Sequence, residues 1–433
     1  MESVLNSIWQ KSKLLIKGLI IGVLVLLLLI PAYFVQNLIQ EREARQKEAV
    51  WEVSSKWAGS QNISGPILVI PYEEKSLATN GQLVSIRRNA YFLPDKLDIK
   101  AKVYPEKRYR GIYEVMLYTS TVGITGKFPA LPLQALKLQP ADMLWNEAYL
   151  CMGISDTRGL KEEIRLKWND SVSGLVPSMI NNAVLKEGLS APVIITETAA
   201  VEETHFSATI NLNGSEQLLF TPVGRETTAR LESAWPDPSF TGAQLPVSSD
   251  IKDSGFVANW KSVAYNRGFP QHWKNDAYNL GTAAFGTDLF IPVNGYQKTM
   301  RSVKYAILCI LLTFTAFFLI ETTNRKSVHP VQYALIGFAL ILFYTLLLSF
   351  SEYTGFNTAY GIASIATVGL ITWFVKGLLG SMKLSLFLSF VLILLYSYVF
   401  TILQLQDYAL LLGSIGLFLT LAVVMYFSRK IQW

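Results

Sequence analysis

Two glutamates are the first residues whose positions in this chain could support membrane chemistry. Glu321 and Glu352 stand at opposite ends of two apolar stretches, residues 305–320 and 331–350. An ionisable group inside a bilayer is costly to bury and is therefore a candidate for proton or ion coupling. Both glutamates lie at the edges of the stretches, where they can reach water. The spacing thus favours an interfacial cap or a loop anchor, with coupling as the alternative.

The three histidines are the next candidates for chemistry. His205, His272 and His329 are far apart and lack the spacing of a metal site. We interpret them as structural and predict neither a metal nor a cofactor. His329 precedes Pro330, and proline suits the first turn of a helix. This pair therefore predicts the start of a span.

A short polar run, residues 153–158, brings Ser155, Asp156 and Arg158 together. A serine nucleophile needs a base, and the flanking residues do not form Gly-x-Ser-x-Gly. The run predicts a turn with a contact between Asp156 and Arg158. A hydrolase remains a minor alternative, and no catalytic residue is assigned.

The elements that must position these residues are membrane spans. About 20 apolar residues cross the hydrocarbon layer. The sequence predicts a polytopic α-helical membrane protein with six spans. The segment 1–35 contains an N-terminal tail followed by the first span. The other five spans, with short loops between them, lie in residues 305–433. These five spans are centred on residues 305–320, 331–350, 360–375, 384–403 and 408–427.

Lysine and arginine set the expected orientation, because short cytoplasmic segments carry an excess of them. The rule places both termini in the cytoplasm. Lys298, Arg301 and Lys304 fall on the outer side against the rule. Their spacing puts them on one side of a helix. These basic side chains could contact lipid headgroups, or they could pair with Glu41 or Glu43 of the helix that follows the first span. We favour the pairing with a glutamate.

Residues 36–304 form the large segment between the first two spans, and we expect an extracytoplasmic domain. Residues 36–57 predict a continued helix. Apolar and polar residues alternate in several later stretches, as in 97–103, so we expect the rest to be mainly antiparallel β-structure with a sandwich-like arrangement. Asn80-Gly81 and Asn213-Gly214 each predict a hairpin turn. A polar loop, residues 169–192, is a candidate internal boundary.

Charge and cysteine usage exclude some classes of protein. Residues 36–304 hold 29 of the 38 basic residues and 28 of the 32 acidic ones. The positive net charge therefore comes from the membrane flanks and gives no indication of nucleic-acid binding. The two cysteines, Cys151 and Cys309, fall one in each part, so we expect no internal disulfide.

An aromatic and proline-containing segment, residues 235–260, is the candidate recognition feature of the domain. It begins at Trp235 and ends at Trp260. Exposed aromatic loops mark binding surfaces. The same composition also fits a buried loop that docks the domain on the membrane, and both interpretations remain open.

Several short segments together resemble one known family. They are residues 235–242, 254–260, 305–308, 317–322, 329–333 and 351–356. With weaker matches at 64–66, 110–113 and 155–159, they resemble the inner-membrane protein CreD family over essentially the whole chain. The resemblance implies an inner-membrane protein of cell-envelope integrity, associated with a two-component regulatory system. It carries over no catalytic or ligand residues.

The sequence therefore predicts a non-enzymatic envelope-integrity protein whose β domain binds a protein or an envelope component. The spans hold no charged residue at their centres, and transporters usually need such groups. A transporter or flippase for an envelope lipid or peptide is the alternative. The partners we expect are the lipid bilayer and an unidentified envelope component. Glycines at 377 and 380 suggest a homo-oligomer contact.

Overall fold

The chain divides into two compact units, each described here by itself. The computed structural model describes residues 2–77, 83–177, 185, 188–275, 278–289, 295–324 and 327–405, with positions 411, 413–416, 418, 422 and 425. The first unit comprises Met1–Lys47 and Val293–Trp433, and the second comprises Glu48–Pro292. We call them the membrane unit and the β unit.

Six α-helices are defined among these residues. They are α1 (Glu2–Trp57), α2 (Gly295–Lys304), α3 (Ala306–Thr323), α4 (Pro330–Thr354), α5 (Phe356–Leu379) and α6 (Met382–Gln404). All except α2 are long and apolar enough to cross a membrane. In the described part of the chain, one candidate span thus precedes the β unit and four follow it. The predicted sixth span, residues 408–427, lies largely outside the described residues.

The first helix confirms the predicted continuation of the first span. It passes Pro31 without a break and ends at Trp57. Acidic and basic side chains four residues apart pair along its polar part, as the sequence predicts. The pairs are Glu41–Arg45 (3.0 Å), Glu43–Lys47 (3.0 Å) and Glu52–Lys56 (2.8 Å).

The turn between α4 and α5 is tighter than the sequence suggested. The spans predicted at residues 331–350 and 360–375 leave 351–359 as a loop between them, but α4 runs to Thr354 and α5 begins at Phe356. Gly355 alone separates them, with φ of +77°. A glycine adopts this conformation without the steric cost that other residues meet. Glu352 therefore lies in the last turn of a helix.

The described part of the β unit contains sixteen strands. They are β1 (Gln61–Leu77), β2 (Leu83–Phe92), β3 (Lys96–Arg110), β4 (Tyr113–Phe128), β5 (Tyr149–Ile154), β6 (Ile164–Trp168), β7 (Ser171–Pro177), β8 (Gly188–Pro192), β9 (Thr204–Ser215), β10 (Gln217–Thr221), β11 (Glu226–Ser233), β12 (Ser239–Gly242), β13 (Ser248–Lys252), β14 (Gly255–Val263), β15 (His272–Lys274) and β16 (Phe285–Asp288). Most neighbours pair antiparallel, as expected, whereas β1–β10 and β3–β11 are parallel.

The strands form two sheets joined through β7. The first sheet has the order β12-β16-β10-β1-β5-β8, with β2 on β1 and β15 on β2. The second sheet has the order β6-β9-β4-β3-β11-β14-β13, and β7 pairs with both β6 and β8. The segment 169–192, our candidate boundary, thus contributes the strands β7 and β8.

The two sheets share one hydrophobic core. Buried residues of both sheets belong to a single cluster. The rings of Trp260 in β14 and Phe285 in β16 stack with centroids 5.6 Å apart. In β3 buried residues alternate with less buried ones from Lys96 to Tyr104, as the sequence predicts for residues 97–103. These contacts give the β unit a sandwich-like architecture.

One hairpin prediction is confirmed and the other is wrong. The strands β1 and β2 pair antiparallel up to Leu77 and Leu83, which confirms the hairpin, whereas its predicted turn residues, Asn80 and Gly81, lie outside the described residues. In contrast, β9 continues through Asn213 and Gly214, which pair with β4. A Cβ on Gly214 would lie 2.3 Å from the Tyr118 hydroxyl. This glycine therefore makes room for a neighbouring ring instead of forming a turn.

Candidate functional site

Both candidate glutamates lie in the last turns of their helices, Glu321 in α3 and Glu352 in α4. Each carboxylate contacts a basic residue of α1 and a tyrosine hydroxyl. Since α3 and α4 are consecutive spans, the two carboxylates lie at opposite ends of the membrane unit. We call them the Glu321 cluster and the Glu352 cluster.

The Glu321 cluster satisfies every oxygen of a buried carboxylate. Oε1 accepts hydrogen bonds from Lys17 Nζ and from the Val328 N–H, the latter at 2.7 Å. Oε2 accepts from the Tyr333 hydroxyl at 2.7 Å. Lys17 Nζ also donates to the Val328 carbonyl at 2.9 Å. The Glu321 side chain is only 4% exposed. A charge buried this deeply is tolerated only with such partners.

The Glu352 cluster is built in the same way but is looser. Its Oε1 accepts a hydrogen bond from the Tyr296 hydroxyl of α2 at 2.9 Å. The same oxygen lies 4.0 Å from Arg42 Nε of α1. The Glu352 side chain is 9% exposed and that of Arg42 is 43% exposed. This pair therefore contacts solvent at one end, which suits the edge of a membrane.

The two basic partners are spaced for the two faces of a bilayer. Lys17 and Arg42 are 25 positions apart on α1. At 1.5 Å per residue this separation is about 37 Å. That distance exceeds the ~30 Å hydrocarbon layer and falls short of the ~40–45 Å that includes the headgroups. Each cluster thus fits at one boundary of the layer.

A third contact fixes α1 between the clusters. Leu28 of α1 is 2% exposed. A Cβ on Gly337 of α4 would lie 2.2 Å from Leu28 Cδ1 and 3.1 Å from Phe314 of α3. Small residues at helix interfaces allow this close approach in membranes. The first helix therefore packs into a groove between α3 and α4.

His329 caps α4, as the His-Pro pair predicts. Its Nδ1 accepts a hydrogen bond from the Val331 N–H at 3.3 Å, and its own N–H donates to Gln332 Oε1 at 2.9 Å. Pro330 is the first residue of the helix. The histidine thus satisfies helix-terminal groups that would otherwise lack partners.

The predicted contact of Arg301 with a glutamate of α1 is wrong. Glu41 and Glu43 pair with basic residues of α1 itself, as listed above for that helix. Arg301 is exposed on α2 and forms no ion pair in the described part of the chain. Its neighbour Lys298 donates to Gln404 at 3.2 Å and lies over the Phe356 ring. The glutamate that α2 contacts is Glu352, and it does so through Tyr296.

The two tryptophans of the candidate recognition segment belong to the core of the β unit. Trp235 is 7% exposed and Trp260 is 2% exposed. The Trp235 ring N–H donates to the Asp237 carbonyl at 2.8 Å. Phe240 packs edge-on against Trp260 with centroids 5.7 Å apart. These rings stabilise the sandwich, so they do not form an exposed aromatic loop.

The expected contact between Asp156 and Arg158 is confirmed, and it stabilises the end of α1. Asp156 Oδ2 accepts from Arg158 Nη2 at 2.6 Å and from the Gly59 N–H at 2.9 Å. Arg158 Nη1 donates to the Ser55 carbonyl at 2.6 Å. The Arg158 hydrogen bonds, with the Gly59 N–H, lower the pKa of Asp156 to about 2. Ser155 contacts the backbone of Asn62.

Sequence reasoning missed a group of buried hydroxyls in the membrane unit, because it searched the spans for charges. Tyr360 donates to the Tyr396 carbonyl at 2.9 Å. Among the described residues, the hydroxyls of Ser364, Thr367 and Tyr396 are buried without a hydrogen-bond partner. Tyr360, Ser364 and Thr367 recur at helical spacing along α5. This periodicity was the available signal.

These features define a multi-pass membrane protein with a large β unit inserted after its first span, and with two carboxylate clusters that join that span to the others. The sequence profile of the family described as "Inner membrane protein CreD" matches residues 13–433. The chain belongs to this family and is a protein of the bacterial inner membrane. It is 30% identical over 415 residues to Inner membrane protein CreD of Escherichia coli (strain K12), covering 94% of this chain and 91% of that one.

Proposed function

We propose that this protein maintains cell-envelope integrity without enzymatic activity, with the membrane unit as an anchor and the β unit as the binding part. In this proposal the β unit faces the extracytoplasmic side and both termini lie in the cytoplasm. Its ligand is an envelope component or an envelope protein.

The proposal rests mainly on one observation, the hydrogen bonds and ion pairs that the two buried carboxylates form. Glu321 is fully engaged by Lys17, Tyr333 and the Val328 N–H. Glu352 is engaged by Tyr296 and Arg42. Both therefore hold α1 against the bundle and have a structural use that explains their burial. This supports the anchor over proton or ion coupling.

A photo-crosslinking experiment in living cells tests where binding occurs. A crosslinking residue is placed at Tyr265 of the β unit, which is 99% exposed, or at Leu335 of α4, which is 51% exposed. We expect crosslinked adducts with envelope components at several exposed positions of the β unit. The amount of these adducts should increase under envelope stress. Adducts that arise only from bundle positions would contradict the proposal.

Transport of an envelope lipid or peptide is the second candidate, and the buried hydroxyls favour it. Ser364, Thr367 and Tyr396 offer hydrogen bonds to a polar group inside the bundle. An unpartnered buried hydroxyl costs free energy, so removing one from an anchor is neutral or stabilising. The variant Tyr396→Phe separates the two functions. Loss of detergent resistance at normal protein abundance would favour transport, whereas retained resistance favours the anchor.

A self-association surface completes the proposal. A Cβ added to Gly377 or Gly380 would meet nothing within 4 Å, so this part of the membrane unit leaves room for another helix. Small residues favour close helix contacts in membranes. Crosslinking between two copies at position 377 would detect a homo-oligomer.

A further inference from the structure

One face of the second sheet carries an ordered array of basic and hydroxyl side chains. It is formed by outward-facing residues of β6, β9, β4, β3, β11 and β14, and we call it the basic face. Its basic residues are Lys96, Lys100, Lys102, Lys127, Arg165, Lys167, Arg230 and Lys261. Its acidic residues are Asp98, Glu226 and Glu232. Positive charge therefore predominates.

The register places two of the cations directly beside each other. Lys100 of β3 is the partner of Arg230 on the parallel strand β11. Lys100 is 74% exposed and Arg230 is 53% exposed. Like charges in register on neighbouring strands destabilise a sheet. Each has an acidic neighbour on its own strand, at 3.4 Å for Lys100 and at 4.0 Å for Arg230. The juxtaposition costs stability that an anionic ligand would recover.

Hydrogen-bonding groups continue the same row in both directions. Arg230 is in register with Asn259 of β14, which donates to Ser248 at 3.1 Å. Lys100 is in register with Gly123 of β4, and Gly123 with Thr209 of β9. Because Gly123 has no side chain, the row contains a shallow depression beside Lys100.

A neighbouring row also carries cations and hydroxyls, but Asp98 of β3 lies at its centre, in register with Thr125 and Thr228. Asp98 accepts a hydrogen bond from the Thr228 hydroxyl at 2.7 Å. Lys167 of β6 is in register with Ser207, and Ser207 with Thr125. At the other end, Thr228 is in register with Lys261.

Four of the eight cations of the basic face, Lys100, Lys127, Arg230 and Lys261, form ion pairs. The other four, Lys96, Lys102, Arg165 and Lys167, form none with the residues that the structure describes. They are available to an external anion.

The dimensions and composition of the basic face select the class of ligand. Six strands spaced about 4.8 Å apart span roughly 24 Å. This length suits an extended polymer. In these two rows no outward residue has an aromatic ring or a large apolar side chain, so the rows support neither base stacking nor insertion into a lipid surface. The exposed Tyr104 of β3 and Val257 of β14 lie in other rows of the same face. Cations with hydroxyl and amide groups beside them suit a polymer that has both anionic groups and hydroxyls.

We propose that the basic face binds an anionic polysaccharide, one that carries phosphate or carboxylate groups along a hydroxyl-rich chain. The inference rests on the proposed function, because it names the envelope component that the β unit would bind. The polymer lies across the strands, with its anionic groups beside Lys100 and Arg230 and its hydroxyls beside Thr209 and Asn259.

Binding of the full-length protein to phosphorylated dextran tests this proposal, with unmodified dextran as the uncharged polymer. The protein is held in nanodiscs of zwitterionic lipid. We expect binding to the phosphorylated polymer that weakens as salt rises, since exposed charges are screened. The double variant Lys100→Glu/Arg230→Glu should bind at least tenfold more weakly. Its matched control is Arg87→Glu, an exposed strand arginine of the first sheet that pairs with Glu147, and it should bind as the wild type does.

Three outcomes would overturn the inference. They are no binding to phosphorylated dextran, an equal loss in the double variant and the control, and binding of anionic vesicles in place of the polymer. Thermal melts of each variant show that the sheet remains folded. If the inference fails while β-unit crosslinks still form in cells, the proposed function stands and only the ligand class is wrong. If both fail, the β unit is not the binding part.

Discussion

Lys17 of α1 pairs with Glu321 of α3, a residue 304 positions later in the chain. The pair brings the first span against the later ones on one boundary of the membrane unit. The corresponding contact at the other boundary is between Arg42 and Glu352. Together the two contacts hold the ends of the membrane-crossing part of α1. Substitutions and pH changes at these and related contacts give the following predictions.

The close contact between Leu28 and Gly337 predicts a large effect of a small substitution. Gly337→Val should destabilise the bundle by about 1–3 kcal/mol, because the added atoms overlap Leu28 Cδ1. Thermal unfolding of the protein in detergent measures the effect. The control is Gly369→Val in α5, where a Cβ would meet nothing within 4 Å. Equal melting temperatures for both variants would disprove the packing.

The contacts of Glu352 predict that its substitution destabilises the protein more than substitution of the adjacent Tyr353. Glu352→Ala removes the acceptor of the Tyr296 hydroxyl and the partner of Arg42. We expect a loss of about 1–2 kcal/mol, the usual cost of leaving a hydrogen-bonding group without its partner. Tyr353→Ala is the control, since Tyr353 is 74% exposed. Protease protection of the α2 segment should fall in the first variant only.

The sequence located these glutamates correctly but could not give their partners. Apolar length marks the ends of a span, so the edge positions of Glu321 and Glu352 follow from sequence alone. Which face of α1 meets α3 depends on packing between distant segments, and α1 has no charge pattern that reveals it. Lys17 and Arg42 therefore emerged only from the structure.

The β unit shows the same division between local and long-range information. The alternation in β3 was visible because one face of the strand is buried. Asn213-Gly214 has the composition of a turn, yet pairing with β4 overrides it. Trp235 and Trp260 were ambiguous because tryptophan and proline occur in both exposed loops and cores. Only the contacts of each ring decide between these positions.

The Asp156 cluster predicts acid sensitivity of the β unit. The folded-state pKa is lowered from 3.8 to about 2, so its stabilising contribution is present above pH 3.8 and is lost as the pH falls towards 2. The variant Asp156→Asn should therefore lower the melting temperature at pH 5 and show less further loss between pH 4 and pH 2. Melts followed by near-ultraviolet circular dichroism test this. Asp253→Asn, which removes an exposed carboxylate of the same unit, is the control, and the same change in its profile would refute the assignment.

The orientation of the chain is tested with a reporter that is active only outside the cytoplasm. Fusions after Lys304 or Tyr353 should be active. Fusions after Lys326, Lys383 or Trp433 should be inactive, because the excess of lysine and arginine places these positions in the cytoplasm. Activity after Lys326 would overturn the six-span arrangement. Activity after Trp433 would contradict the span predicted at residues 408–427.

Neutralising the Lys17–Glu321 pair tests the anchor most directly. The double variant Lys17→Met/Glu321→Gln removes both charges, keeps a carbonyl acceptor for the Val328 N–H and places an amide NH2 that can donate to the Tyr333 hydroxyl oxygen. Resistance of cells to detergent is measured at matched abundance of the protein in the membrane, with Glu321→Gln and Lys17→Met as the single variants. If the pair only holds α1, the double variant protects cells as well as the wild type does, and Lys17→Met alone reduces abundance because it leaves a buried charge unpaired. Loss of protection in the double variant at wild-type abundance would contradict the anchor and favour proton or ion coupling through Glu321.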